Sequence, residues 1–205
     1  MKRSKLLSLF AAALLWLGGQ NAQAEYVKLT ALSGTGGTGG EGYPSLVDAK
    51  ETTKMGHSYD QTTTEKPAWI VVKAEKAVVP QNYFLVTGGD TGSFPDRNWK
   101  TWNIYGGNFE SDGDAVRNGE GWTLIDKQEG ATLPEANTAS AEFTFNSADG
   151  TTAYQYFWIE ILESVNGGDT WLQMSEWGLG TYDDFQKFLN QETGTDGSRE
   201  RSHKM

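Results

Sequence analysis

Eight short runs rich in Val, Ile, Thr and aromatic residues dominate the chain, with clusters of Gly, Asn and Asp separating them. They are Tyr26–Leu32, Trp69–Ala74, Tyr83–Thr87, Thr101–Tyr105, Trp122–Asp126, Ala141–Phe145, Tyr154–Glu163 and Trp171–Leu179. Branched and aromatic side chains fit the pleated surface of a sheet, and the turn residues between them mark tight reversals. Ala141, Phe143 and Phe145 fall on one face of their run, with Glu142 and Thr144 on the other. Phe157, Ile159 and Ile161 likewise share a face. The runs with turns between them show no βαβ rhythm, so an antiparallel sandwich or barrel is expected. Trp69, Trp102, Trp122, Trp158 and Trp177 lie inside runs and are read as core or sheet-face packing.

Three segments depart from this pattern. Gly34–Gly42 (GTGGTGGEG) reads as a flexible loop. Tyr182, Phe185, Phe188 and Leu189 recur at helical spacing after Thr181, a good N-cap, so one short amphipathic helix is expected there. The N-terminal MKRSKLLSLFAAALLWLGGQNAQA has a basic start, about 12 apolar residues and a small-x-small end at Ala22-Gln23-Ala24. So short an apolar stretch cannot cross a ~30 Å hydrocarbon core, and a cleaved secretory signal is expected. The expected organisation is residues 1–24 as signal peptide, 25–189 as one sandwich domain and 190–205 as a disordered tail.

Composition narrows the chemistry. The formal net charge is −10 over 205 residues, which argues against nucleic acid or an anionic membrane surface as partner. There is no Cys, so disulfides, thiolate metal sites and Cys nucleophiles are excluded. An exported domain without disulfides is more typical of bacteria. Gly34-x-Gly36-x-x-Gly39 formally fits a dinucleotide fingerprint, but no helix pattern follows it to hold a pyrophosphate. Gly-x-Ser-x-Gly and Walker-type motifs are absent. Only His57 and His203 are present, and His203 lies in the tail. With 27 acidic residues, no carboxylate pair can be singled out as an acid/base couple.

From Tyr43 to Leu179 four motifs occur in a recognisable order. Tyr43-Pro-Ser-Leu-Val-Asp48-Ala-Lys-Glu-Thr-Thr53-Lys54-Met55 resembles an L-x-D-G-D-x-x-T-K-W loop. Pro67-Ala-Trp69-Ile-Val-Val is similar to a first core strand. Thr87-Gly-Gly-Asp90, then Arg97-Asn98-Trp99-Lys100-Thr101-Trp102-Asn103-Ile104-Tyr105-Gly106, resembles T-G-N-D … R-N-P-K-S-W-x-I-Y-G. Tyr154–Leu162 and Gln173–Leu179 are similar to two closing strands. Together they resemble the galactose-binding-like, or discoidin (coagulation factor type C), domain in its bacterial carbohydrate-binding form. The resemblance implies an eight-stranded antiparallel jelly-roll β-sandwich, here with one short C-terminal helix.

The resemblance further implies a structural Ca²⁺, on this chain at Asp48, Thr53 and Glu176 with backbone carbonyls. Ala49, Lys50 and Met55 replace the Gly, second Asp and Trp of the pattern. Asp48 alternatively caps a turn, and the Lys50 ammonium alternatively folds back onto Asp48 in place of a cation. Polar loop residues His57, Tyr59, Asp60, Asp90, Arg97 and Asn98 are the candidate sugar contacts, with Trp99 as the stacking platform. Each has a packing alternative: Asp90 as a turn cap, Arg97 paired with Asp96 or Asp90, Trp99 covering the sandwich edge. The expected function is a non-catalytic, exported module binding a glycan or glycoconjugate, at the periplasm, cell surface or outside the cell. A larger envelope or enzyme assembly is a further expected partner. A protein–protein or adhesion module on the same sandwich is the alternative, and a glycoside hydrolase a third.

Overall fold

The computed structural model describes residues 26–37, 40–58, 67–166 and 171–192. The leader, Tyr59, Asp60 and residues 193–205 lie outside them. Five strands form one antiparallel sheet: β1 (Leu29–Gly34), β3 (Ala68–Val78), β8 (Tyr154–Ser164), β5 (Trp99–Gly107) and β6 (Trp122–Gln128), in that order. A second sheet has the order β10 (Glu176–Leu179), β4 (Asn82–Val86) and β7 (Ser140–Thr144). A ribbon of β2 (Met55–Ser58) and β9 (Trp171–Met174) stands beside it. Every strand pair is antiparallel.

The sandwich is as expected, but the described residues hold ten strands where eight runs were read. β2 is the addition: its four residues, MGHS, carry no branched side chain. The last run divides at Ser175, whose N–H donates to the Val86 carbonyl. The chain there leaves β2 and takes up β4, a change of partner that no local pattern reveals.

The main core lies between the sheets. Ile70, Val72, Phe157, Ile159 and Ile161 from the larger sheet meet Tyr83, Leu85 and Trp177 from the smaller. Trp102 joins this core, whereas Trp69, Trp122 and Trp158 pack together on the outer face of the larger sheet. Helix α1 (Tyr182–Glu192) closes the other face of the smaller sheet through Phe185, which packs on Phe84 and Tyr26. A Cβ at Gly178 would lie 2.3 Å from the Phe84 ring, so only glycine fits on β10 beside it. Helix α1 runs through Asn190, Gln191 and Glu192, which the sequence reading gave to the tail. Thr181 caps it as expected: its Oγ1 accepts the Asp184 N–H at 3.2 Å and donates to Asp184 Oδ2 at 2.8 Å. Thr181→Ala is expected to lower stability by about 1 kcal/mol, read as a shifted denaturant midpoint at unchanged m-value. Among the described residues, no helix is long and apolar enough to cross a membrane.

Candidate functional site at the loop end

The register brings the loops after β1, β4, β6 and β8 to one end of the sandwich. Gly34 pairs with Ile70, Trp99 with Ser164 and Val86 with Ser140. Loop-to-loop hydrogen bonds then join them, Thr87 N–H to Ala139 O, Thr138 N–H to Gly88 O and Val165 N–H to Asn98 O. Between the β1–β2 and β4–β5 loops lies an open cleft of about 430 Å³, lined by Glu41, Ser45, Thr53, Lys54, Gly89 and Asp90 among others.

Charges organise this cleft. The Lys54 Nζ donates to both Asp90 oxygens at 2.7 Å and to Gln173 Oε1 at 3.1 Å, and stands 3.7 Å from Glu41. Burial pulls the Asp90 carboxyl upward, but the Lys54 hydrogen bonds and charge outweigh it and hold the group below its ordinary range. Gln173 is buried and donates onward to Thr91 Oγ1 at 3.3 Å, tying the network to β9. Arg97 approaches Asp90 to 3.9 Å. Its guanidinium lies 3.7 Å from the Phe94 ring centroid and 5.3 Å from that of Trp171. Phe94 is 39% exposed, an aromatic surface beside fixed charges. Such a set can hold hydroxyl groups by charge-assisted bonds and present a ring to C–H faces.

The expected contact residues divide. Asp90 and Arg97 come together. Asn98 is buried at 1% exposure, and its Nδ2 donates to the Pro134 carbonyl. His57 lies in β2, not a loop, with Nδ1 3.0 Å from Gly36 O, and burial lowers its pKa, so the ring is neutral at neutral pH. Trp99 is fully buried, edge-on to Trp102, and presents no face to a ligand. Bulges flanking Thr101 are the physical reason: they turn both Trp99 and Trp102 inward, although strict alternation would place them on opposite faces. Lys54, Phe94, Gln173 and Trp171 escaped the sequence reading. Only Phe94, an aromatic inside the turn-rich SFPDRN segment, gave a local signal.

Next to the cleft, residues 47–53 wrap Glu176 at the start of β10. Glu176 is fully buried; its Oε1 accepts the Lys50 N–H at 2.6 Å, and its Oε2 has no hydrogen-bond partner. Asp48 accepts from the Lys50 N–H at 3.1 Å and from the Thr53 hydroxyl at 2.9 Å, and that hydroxyl also lies 2.8 Å from the Lys50 carbonyl. Burial raises the Glu176 pKa to about 9; the Lys50 N–H opposes this, and Asp48 and Glu51 add to it. Ala49, at the pattern's Gly position, adopts φ +59°, the left-handed backbone that favours glycine. Lys50 reaches the acids through its backbone; no Lys50–Asp48 ion pair occurs among the described residues. On the far side Tyr182 and Gln186 of α1 donate to Glu51 at 2.5 and 2.8 Å.

An all-oxygen donor set with an unpartnered buried carboxylate oxygen fits a hard cation of the Ca²⁺ type. Among the described residues no group of three or more His, Cys, Asp or Glu could hold a metal. Coordination would therefore rely on Thr53 and loop carbonyls beside the two carboxylates.

No protein-family model and no curated protein matches the sequence. Solved structures do match the fold. The family 32 carbohydrate-binding module of Clostridium perfringens NanJ, solved with galactose, is 17% identical with a TM-score of 0.52, over 76% of this chain and 97% of that one. CBM32-3 from a family 31 glycoside hydrolase of the same species is 20% identical with a TM-score of 0.54, over 78% and 98%. The C-terminal domain of a Bacteroides fragilis chitobiase is 17% identical with a TM-score of 0.53, over 75% and 94%. The chain has the galactose-binding-like sandwich fold of these modules.

Proposed function

We propose that this chain is an exported, non-catalytic carbohydrate-binding module, which grips a glycan at the loop-end cleft and holds a structural Ca²⁺ beside it. The carrying observation is the cleft: Lys54, Asp90 and Arg97 fix one another's geometry next to the exposed Phe94 ring, on a fold whose solved examples include sugar-binding modules. Pre-set polar groups around an aromatic surface suit a ligand with hydroxyls on one side and C–H bonds on the other. The leader supports export, and two of the similar structures come from a glycoside hydrolase and a chitobiase, which supports assembly with a larger enzyme or envelope protein.

Ca²⁺, if bound, would be held by Asp48, Thr53 and Glu176 and would supply the charge that keeps Glu176 ionised. The chain's own part is to tie the 47–53 loop to β10 on one side and to α1 on the other. Lys54 follows Thr53 directly, so a fixed loop sets the position of the ammonium that orients Asp90.

Titration calorimetry with methyl galactoside, after a glycan array to find the preferred sugar, tests this reading. Saturable binding is expected, and Arg97→Ala should weaken it roughly 10- to 100-fold, as loss of a charge-assisted hydrogen bond does. Phe94→Ala, at an exposed position, should weaken it less without moving the thermal midpoint. A blank array together with selective capture of an envelope protein would replace this reading with the adhesion module. Turnover of a chromogenic glycoside, abolished by one carboxylate change, would replace it with a hydrolase.

A further inference from the structure

We infer that Gln173, buried on β9, is a positioning residue: it ties Lys54 to the β4–β5 loop so that Asp90 meets a ligand in one fixed orientation. This rests on the carbohydrate-binding reading and deepens it. Gln173 pairs with Gly56 of β2 and is 1% exposed. Its Oε1 accepts from the Lys54 Nζ at 3.1 Å, and its Nε2 donates to Thr91 Oγ1 at 3.3 Å. An ammonium can only donate, so the amide oxygen must face it. Lys54 in turn grips both Asp90 oxygens at 2.7 Å, and Asp90 precedes Thr91 in the chain. Lys54, Asp90, Thr91 and Gln173 thus close a ring. Lys54–Asp90 is one link between the β2–β9 ribbon and the β4–β5 loop, and Gln173–Thr91 is the second. A Cβ at Gly88 would lie 3.0 Å from Gln173 Nε2 and 3.3 Å from Asp90 Oδ1, so bare backbone there lets amide and carboxylate both close over the loop.

The ring divides the labour in the cleft. The three ammonium hydrogens of Lys54 are taken up by the two Asp90 oxygens and by Gln173, so none is left for a ligand. Its side chain is 16% exposed against 38% for Asp90, which makes Asp90 the group a ligand meets. Arg97, 3.9 Å from Asp90, and Glu41, 3.7 Å from Lys54, are the other charged groups beside the pair. Through the Lys54–Asp90 contact alone, a long lysine side chain could swing and carry the carboxylate with it. The second link removes that freedom before a ligand arrives, and an acceptor already held in place loses less entropy on binding.

Two variants of the full chain test this. Gln173→Met keeps the length of the side chain and loses both hydrogen bonds, so a space-filling role survives it. Thr91→Val keeps the shape of its side chain and removes the acceptor of Nε2. Burial raises the Asp90 pKa, and Lys54, with Arg97 behind it, overcomes this and holds the carboxyl below its ordinary range. Each variant should therefore move the Asp90 titration to higher pH, read by carboxyl-carbon NMR without any sugar. Calorimetry with methyl galactoside should show binding weakened about tenfold in each. The ionised carboxylate is the acceptor, so binding is lost as pH falls through the Asp90 pKa, and that loss should begin at higher pH in the variants. An unmoved Asp90 titration, or a moved one with affinity intact, would overturn the positioning role and leave the carbohydrate reading standing. Thr91→Val decides by itself if Gln173→Met does not fold. A moved titration, when the unaltered chain binds neither methyl galactoside nor any glycan of an array, would keep the ring and overturn the carbohydrate reading.

Discussion

Ca²⁺ at 100-fold above its dissociation constant is expected to stabilise the folded chain by about 2.7 kcal/mol, with a thermal midpoint raised by roughly 5–10 °C. Glu176→Gln should abolish that gain. The physical reason is the fully buried carboxyl of Glu176, whose pKa is pushed up to about 9 chiefly by burial. Its folded-state pKa lies above the ordinary value of 4.5, so without metal the folded chain holds a proton that the unfolded chain releases. That contribution is fully present below about pH 4.5 and is lost as the pH rises toward about 9. A bound cation would take the place of that proton. The Ca²⁺-loaded chain should therefore lose this downward slope, and Ca²⁺ affinity should climb across the same window as the competing proton leaves. Glu176→Gln keeps the shape and removes both the slope and the Ca²⁺ gain. Denaturant titrations between about pH 5 and pH 9, with Ca²⁺ and with a chelator, read all of this. Identical curves in the two conditions would end the calcium assignment and leave the sandwich as it is.

The same buried acid shows where sequence reading succeeds and where it stops. That the Asp48–Thr53 loop meets Glu176 followed only from the order of motifs, because 123 positions separate Thr53 from Glu176 and no local periodicity joins them. The strands were legible for a local reason. Phe157, Ile159 and Ile161 alternate and are all fully buried in the main core. Where alternation fails, local pattern misleads: the bulges around Thr101 bury Trp99, so it is no stacking platform. β2 has no local signature, because Met-Gly-His-Ser becomes a strand only by pairing with β9, and this is why His57 reads as a loop residue in sequence. Lys54 and Asp90, 36 residues apart, meet only after two sheets have formed. Cleft chemistry of this kind depends on tertiary register, and a single sequence carries that weakly.

Asp126→Ala should be among the most destabilising single changes in the chain, at about 3–5 kcal/mol, because it empties the polar centre of an otherwise apolar core. Asp126 is fully buried on β6. It accepts the Tyr83 hydroxyl at 2.6 Å, the Asn146 N–H at 3.0 Å and the Gln128 amide at 3.2 Å. Tyr83 stands on β4 of the opposite sheet, and its hydroxyl in turn accepts the Trp102 indole N–H at 2.9 Å. Burial, and then the Asp126 charge, push the Tyr83 pKa far upward, so the phenol remains a donor throughout the accessible pH range. The network thus bolts β4 to β5 and β6 through one continuous chain of donors. Truncating Asp126 takes the acceptor from the fully buried Tyr83 hydroxyl and opens a cavity beside it. Tyr83→Phe should cost less, about 1–3 kcal/mol, since the ring keeps its contacts with Phe143, Phe145 and Trp177 while Trp102 loses an acceptor. Because both changes break the same bond, the double variant should fall well short of the sum of the two losses. Guanidinium unfolding of the two single variants and the double one measures the coupling. Additive losses, or an Asp126→Ala loss below about 1 kcal/mol, would show that apolar packing alone joins the sheets and that this network is incidental to it.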